Sequence, residues 1–260
     1  MADYMGSEAS IALQKRIHAR RSMIENSPWI ASGGRVMIYV EPDATTWPSA
    51  RALAEEDGFL ALVVMDREQL DAAVAHGLGD GWRTDYWDAF LGAPPEVLAA
   101  SRRVVDTTPL PAGWRLDATL APNHDEIDQV QRLNLATGVS PNPAVVGACP
   151  TLSVMVRDSA GELVASAAAC MFFHPQSRLG GTVFVGLVSV DPKARGKGLG
   201  KLANARALID SHAAMGWTQA TEFVAADNPA SRAMVAASGL TVDAGLVTAI
   251  ATRGAERFTR

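Results

Sequence analysis

Apolar and polar positions alternate along the chain with two periods, one near 3.6 residues and one near 2, and the switches between them mark predicted helices and strands. Leu13, Ile17 and Ile24 share a face over residues 9–25, which predicts a helix with a basic opposite face. Arg35–Val40 predicts a strand stopped by Pro42, residues 48–57 a helix, and the nearly continuous apolar run Phe59–Met65 a strand. Asp66 is placed to cap a helix running through Ala75 and ending near Gly77 and Gly79. An aromatic stretch with Trp82, Tyr86, Trp87 and Phe90 follows, then Pro94, Pro95 and a short helix near 96–102.

Beyond residue 113 the alternation is clearer. Trp114–Leu120 reads as a strand, and Asn123 stands three residues before Glu126, a capping-box-like start for a helix carrying Ile127, Val130 and Leu133. After a Pro/Gly-rich stretch from Gly138 to Pro150, Thr151–Arg157 and Leu163–Phe173 read as a hairpin around Asp158-Ser159-Ala160-Gly161. Thr182–Val190 is an uncharged, mostly apolar strand, predicted to be covered on both faces. A helix to Met215 stops at Gly216, Ala220–Ala225 is a strand, and Asn228-Pro229 opens a last helix ended by Gly239. Thr241–Thr252 closes the pattern as one long strand or a tight hairpin.

Residues 106–113, with two prolines, two threonines and a glycine, read as a linker. The expected organisation is an N-terminal α/β domain over 1–110 and a second domain over 111–260. Charge divides the same way. Residues 1–110 hold 10 Lys/Arg against 16 Asp/Glu, whereas residues 111–260 hold 13 against 12. No basic patch supports a nucleic-acid partner. The acidic surplus suits a cationic acceptor, and equally a solvated surface. No apolar run is long enough to span a bilayer, and Met1–Gly6 does not read as a secretory signal. Cys149 and Cys170 stand in unrelated contexts and give neither a disulfide framework nor a metal site. These features predict a soluble, cytoplasmic protein without membrane contact.

The chemistry concentrates at Val188-Ser189-Val190-Asp191-Pro192-Lys193-Ala194-Arg195-Gly196-Lys197-Gly198-Leu199-Gly200-Lys201, a strand, a turn, a glycine-rich loop and a helix start. Glycines at 196, 198 and 200 let the backbone turn sharply and approach a ligand closely. The unpaired N–H groups and dipole of the following helix, with Arg195, Lys197 and Lys201, suit a diphosphate. The nucleotide pattern G-x-x-x-x-G-K-[ST] is absent, and the loop lacks the third glycine of G-x-G-x-x-G.

With these flanks the region resembles the GNAT superfamily of acyl-CoA N-acyltransferases. Val190-Asp191-Pro192 followed by Arg195–Gly200 is similar to its main motif, and Asn228 to Leu240 is similar to a second one, an Asn before a helix ending in Gly plus an apolar residue. The resemblance covers roughly 114–252. It implies a mixed, mostly antiparallel sheet flanked by helices (α/β, α+β), joined to the additional N-terminal α/β domain, which could be a degenerate copy of the same fold. It implies that Val188, Ser189 and Val190 pair with the pantetheine amides of acetyl-CoA. It further implies that Arg195, Gly196, Lys197, Gly198, Leu199, Gly200 and Lys201 hold the pyrophosphate, and that Asn228 faces the pantetheine arm as well as capping its helix. The implied activity is acetyl transfer to a primary amine of a small molecule or peptide, with no metal.

The catalytic pattern departs from the family. Its frequent tyrosine acid falls at Val235, and its frequent glutamates fall at Phe223 and near Phe184. Glu222 is the nearest ionisable group and the candidate base, although strand alternation turns it away from the face of Phe223. His174 is a weaker candidate, and His124, Asp125, Glu126 and Asp128 read as helix-start residues. Ser231 sits near the expected thiol end. Trp82, Tyr86, Trp87 and Phe90 either line an acceptor pocket or pack the N-terminal core. The alternative to an enzyme is an acyl-CoA-binding sensor or scaffold. Only about twenty residues follow Gly239, so the last strand beside the family sheet is a very short hairpin, or comes from the N-terminal part or from a second subunit of a homodimer.

Overall fold

The computed structural model describes residues 4–34, 36–41, 43–139 and 149–253. The N-terminal part runs α1 (Glu8–Ala19), α2 (Arg21–Glu25), β1 (Ile30–Ser32), β2 (Met37–Tyr39), α3 (Trp47–Asp57), β3 (Phe59–Asp66), α4 (Arg67–Leu78), β4 (Trp82–Gly92) and α5 (Pro94–Thr107). The rest runs β5 (Arg115–Thr119), α6 (His124–Thr137), β6 (Thr151–Arg157), β7 (Leu163–Cys170), β8 (Thr182–Val190), α7 (Leu199–Met215), β9 (Gln219–Val224), α8 (Pro229–Ala237) and β10 (Thr241–Arg253).

The local signals act as read. Asp66 caps α4 by accepting from Gln69 N–H, and Asn123 and Glu126 form the reciprocal capping box of α6. Gly58, Gly138 and Gly216 end their helices in the left-handed conformation. Other boundaries differ. The helix expected over 9–25 breaks at Arg20, whose guanidinium reaches Asp57 (2.5 Å) and Glu56 (2.7 Å) at the end of α3. The helix after Pro94 reaches Thr107, so the stretch read as a linker starts inside it. β1 and β4 were not anticipated as strands. Arg35, Pro42 and most of the Pro/Gly-rich stretch, residues 140–148, lie outside the described residues.

The ten strands form one sheet in the order β1-β2-β3-β10-β4-β9-β8-β7-β6-β5. Two neighbouring pairs, β2–β3 and β8–β9, are parallel, and the others are antiparallel. The sequence β2-α3-β3-α4-β4 therefore has the same plan as β8-α7-β9-α8-β10. Each unit inserts its last strand into the other: β10 lies between β3 and β4, and β4 between β10 and β9. The neighbour that β9 needs comes from the N-terminal part of the same chain.

β4 also joins two cores. Alternation puts Trp82, Tyr86 and Phe90 on one face. Trp82 and Tyr86 pack with Leu60, Leu62 and Leu70, while Phe90 packs with Val97, Leu208 and Leu240. Trp82, Tyr86 and Phe90 thus serve packing, whereas Trp87 points to the opposite face and belongs to none of the three clusters. A third cluster on the opposite face joins Ile38, Val40 and Val63 to Phe173 and Leu179 of the segment after β7. Among the described residues no helix is long and apolar enough to cross a membrane.

A chain starting at Pro111 lacks β4 and leaves one side of β9 and both sides of β10 without partners. Such a fragment should show no cooperative thermal transition. A cooperative melt with native-like circular dichroism would show that β4 is dispensable.

Candidate active site

The site begins with a defect in β8. Ser166 pairs with Ser189, but Ala168 pairs with Gly186, so β8 carries one extra residue. Leu187 absorbs it with φ 53°, a left-handed conformation that a branched side chain adopts at a cost of about 1–3 kcal/mol. The bulge leaves backbone groups of residues 187–188 outside the regular ladder. On the other side, pairing with β9 stops at Phe184↔Thr221, and the parallel strands part beyond that point.

The chain then turns towards α7. Asp191 accepts from Lys193 N–H (2.8 Å), Pro192–Ala194 make a 3-10 turn, and Arg195 is extended. Gly196 (φ 79°) and Gly198 (φ 75°) take the left-handed conformation that the turn demands. No side chain caps α7, whose first position follows Gly198 directly. The amides of its first turn therefore face outward without an internal acceptor, and the helix dipole adds to their potential.

These amides open on a cleft of about 320 Å³. Val188 and Val190 form its floor, and Ala194, Arg195, Gly196, Gly198, Leu199, Gly200 and Lys201 its glycine rim. Ala230, Ser231 and Met234 of α8 form one wall, and Thr137 and Val139 at the end of α6 the other. Gly200 is set against this space: a Cβ there would lie 3.5–3.7 Å from Val190, Val188 and Met234.

Eight of the sequence-predicted cofactor residues meet in this cleft. Ser189, Lys197 and Asn228 do not line it. The Ser189 hydroxyl is buried on the other face, where it donates to Asn134 Oδ1 (2.6 Å) and accepts from Thr137 Oγ1 (3.0 Å). Lys197 is exposed, and Asn228 caps α8 by accepting from Ser231 N–H (3.1 Å). Sequence reasoning missed Thr137, Val139, Ala230 and Met234. The α8 residues share one helical face, 230/231/234, a signal that was available; the α6 contribution depends on tertiary packing.

Acid–base groups are sparse here. Val235 is fully buried in the core, so α8 does not present that position to the cleft. A tyrosine there would overpack the core. Glu222 lies under α7, 3% exposed and outside the cleft lining, where Asn204 Nδ2 donates to it (2.8 Å). Burial pushes its pKa up to about 8 from 4.5, against the smaller opposing effect of Asn204. His174 accepts from Gln176 N–H at the start of a turn. Among the described residues no group of three or more His, Cys, Asp or Glu could hold a metal ion.

Because the folded pKa of Glu222 is raised, the fold favours its neutral form. That contribution is complete below about pH 4.5 and is lost as pH rises through about 8. Glu222→Gln should therefore flatten the pH dependence of stability and raise stability at pH 8 by more than about 1 kcal/mol relative to its effect at pH 5. Denaturant unfolding at the two pH values measures this; equal effects at both would contradict a neutral, buried Glu222.

Residues 128–239 match the Acetyltransferase (GNAT) family. No curated protein matches the chain in sequence. Among solved structures, a GCN5-related N-acetyltransferase from Kribbella flavida aligns over 85% of this chain and 82% of its own, with TM-score 0.56 and 18% identity. A tandem GNAT protein from the clavulanic acid biosynthesis pathway aligns over 82% and 70%, with TM-score 0.57 and 19% identity. A GCN5-related N-acetyltransferase-like protein from Streptococcus suis aligns over 93% and 99%, with TM-score 0.54 and 17% identity. At these identities the likeness is one of fold, and it extends well beyond the segment that the family match covers. Residues 128–239 thus match the GNAT acetyltransferase family, and the fold is similar to that of solved GNAT proteins over most of the chain.

Proposed function

We propose that this protein transfers an acetyl group from acetyl-CoA to a primary amine of a small molecule or peptide in the cytoplasm. The observation that carries this reading is the uncapped glycine start of α7 opening on a cleft beside the parted strands β8 and β9. The amides of residues 196–201, with Arg195 and Lys201, suit the pyrophosphate. The edge of β8 at Val188–Val190 suits the pantetheine amides, and backbone N–H groups at the Leu187 bulge suit the thioester carbonyl, whose oxygen gains charge during attack. Transfer forms an N–C bond and breaks the C–S bond; the amine loses one proton and the departing thiolate gains one. With Glu222 and Val235 both outside the cleft, the chain contributes chiefly by positioning and backbone polarisation.

A second reading, an acyl-CoA sensor or scaffold, draws on the lining itself. Its ionisable side chains among the described residues are Arg195 and Lys201, both cations. A sensor would bind acetyl-CoA and release no thiol with any amine.

Two measurements test the reading. Gly200→Val puts a side chain into the cleft without backbone strain and should weaken acetyl-CoA binding tenfold or more, about 1.4 kcal/mol, in calorimetric titration. Unchanged affinity in a folded variant would remove the glycine rim from the site. The rate of CoA release should rise with pH as the acceptor ammonium loses its proton near about pH 10, with no falling limb from a protein acid. A bell-shaped profile whose limbs vanish in Glu222→Gln would restore Glu222 as the base.

A further inference from the structure

A row of phenylalanines crosses the sheet where β8 and β9 part. Phe184 and Phe223 have ring centroids 5.4 Å apart, and Phe172, just after β7, lies 5.6 Å from Phe184. All three are partly exposed, on the face opposite Glu222. The β8–β9 ladder ends at Phe184 itself. Gly186 has no side chain, and the Phe184 ring lies over it: a Cβ there would come within 2.9 Å of Phe184 Cζ. The ring thus extends along β8 towards the Leu187 bulge, and one end of the row stands next to the backbone groups assigned above to the thioester. The row carries no charged group.

The wall that Phe172 supplies is held from the N-terminal part. Phe173 and Leu179 of the same segment are buried against Ile38, Val40 and Val63. Between them Arg178 Nη2 donates to Val40 O (2.8 Å) and Val63 O (3.0 Å), and Nε lies 3.4 Å from Glu41. The β2–β3 ladder ends at Tyr39↔Leu62. The two carbonyls are therefore the first past the point where that parallel pair ends, and the guanidinium bridges them. Its planar fork of donors fits this task better than a lysine ammonium.

We propose that the acceptor is an amine with an apolar aryl or alkyl body seated on Phe172, Phe184 and Phe223, and that Arg178 is the positioning residue that holds this wall in place. The inference rests on the acyl-transfer reading above. Rings at the mouth of the parted strands gain from covering an apolar body, and they offer no counter-charge to a polycation or a zwitterion. An apolar seat also disfavours the ammonium form, so it raises the share of neutral amine, the form that attacks, without a dedicated base.

The test uses the full chain with acetyl-CoA and CoA release as the readout. 2-Phenylethylamine and hexylamine should be turned over with kcat/KM at least about tenfold above ethanolamine and spermidine. Phe223→Ala should raise the KM for 2-phenylethylamine tenfold or more while the KM for acetyl-CoA stays unchanged. Arg178→Met should do the same to a smaller degree, with Arg178→Lys restoring part of the loss; if Arg178→Met does not fold, the Phe223→Ala and amine-panel results decide. Ethanolamine or spermidine used as well as the aryl amine, or a Phe223→Ala enzyme with an unchanged amine KM, would overturn the proposal while leaving acetyl transfer intact. Absence of acetyl-CoA binding would instead overturn the acyl-transfer reading itself.

Discussion

The site depends on the ladder between β4 and β9. A strand can part from one neighbour only if its other side is held, because unpaired backbone groups inside a sheet are costly. β9 gives up β8 beyond Thr221, and it keeps its place because Ala220–Val224 pair along Gly92–Asp88 of β4. That ladder holds β9 in the sheet where it leaves β8. Phe90 anchors it from the core, and the Arg232–Asp88 ion pair ties it to α8, which forms a wall of the cleft. The N-terminal part is in this sense a structural component of the unit that carries the cleft.

The same plan in the N-terminal part differs in its details. The turn entering α3 begins with Asp43, whose carboxylate accepts from Thr45 N–H and Thr46 N–H. The Thr45 hydroxyl, with those bonds, holds its pKa down at about 2, and α3, like α7, has no side-chain cap. The parallel pair β2–β3 is likewise bridged past its end by Arg178 rather than left open. Val40-Glu41-Pro42 parallels Val190-Asp191-Pro192 in sequence, but no glycine loop follows it. One plan thus occurs twice, once with the end of its parallel pair bridged by Arg178 and once with that end open beside a cleft.

Much of this was legible in the sequence because it is local. Caps, glycine stops and the strand–loop–helix of the site depend on residues a few positions apart: Asp66, Asn123 and Gly216 behave as read, and the loop at 195–201 joins a strand to a helix as expected. What escaped notice depends on distant neighbours. β4 mixes Arg83, Thr84, Asp85 and Asp88 with its aromatics, and its partners lie more than 120 residues away, so its pattern does not announce a central strand. The bulge at Leu187 is marked in the sequence only by the neighbouring Gly186, and it is the leucine that takes the left-handed conformation. The burial of Val235 and the joining of Phe172, Phe184 and Phe223 across three elements follow from packing. Glu222 was read correctly as facing away from Phe223, and that orientation puts it in the core.

The central claim is that the first turn of α7 holds the pyrophosphate of acetyl-CoA. A crystal structure of the full chain grown with acetyl-CoA tests it most directly. The account predicts one molecule per chain, with pyrophosphate oxygens within hydrogen-bond distance of the N–H groups of residues 196–201 and the thioester beside the β8 bulge. A pyrophosphate seated elsewhere, or a molecule bound at the start of α3, would contradict it.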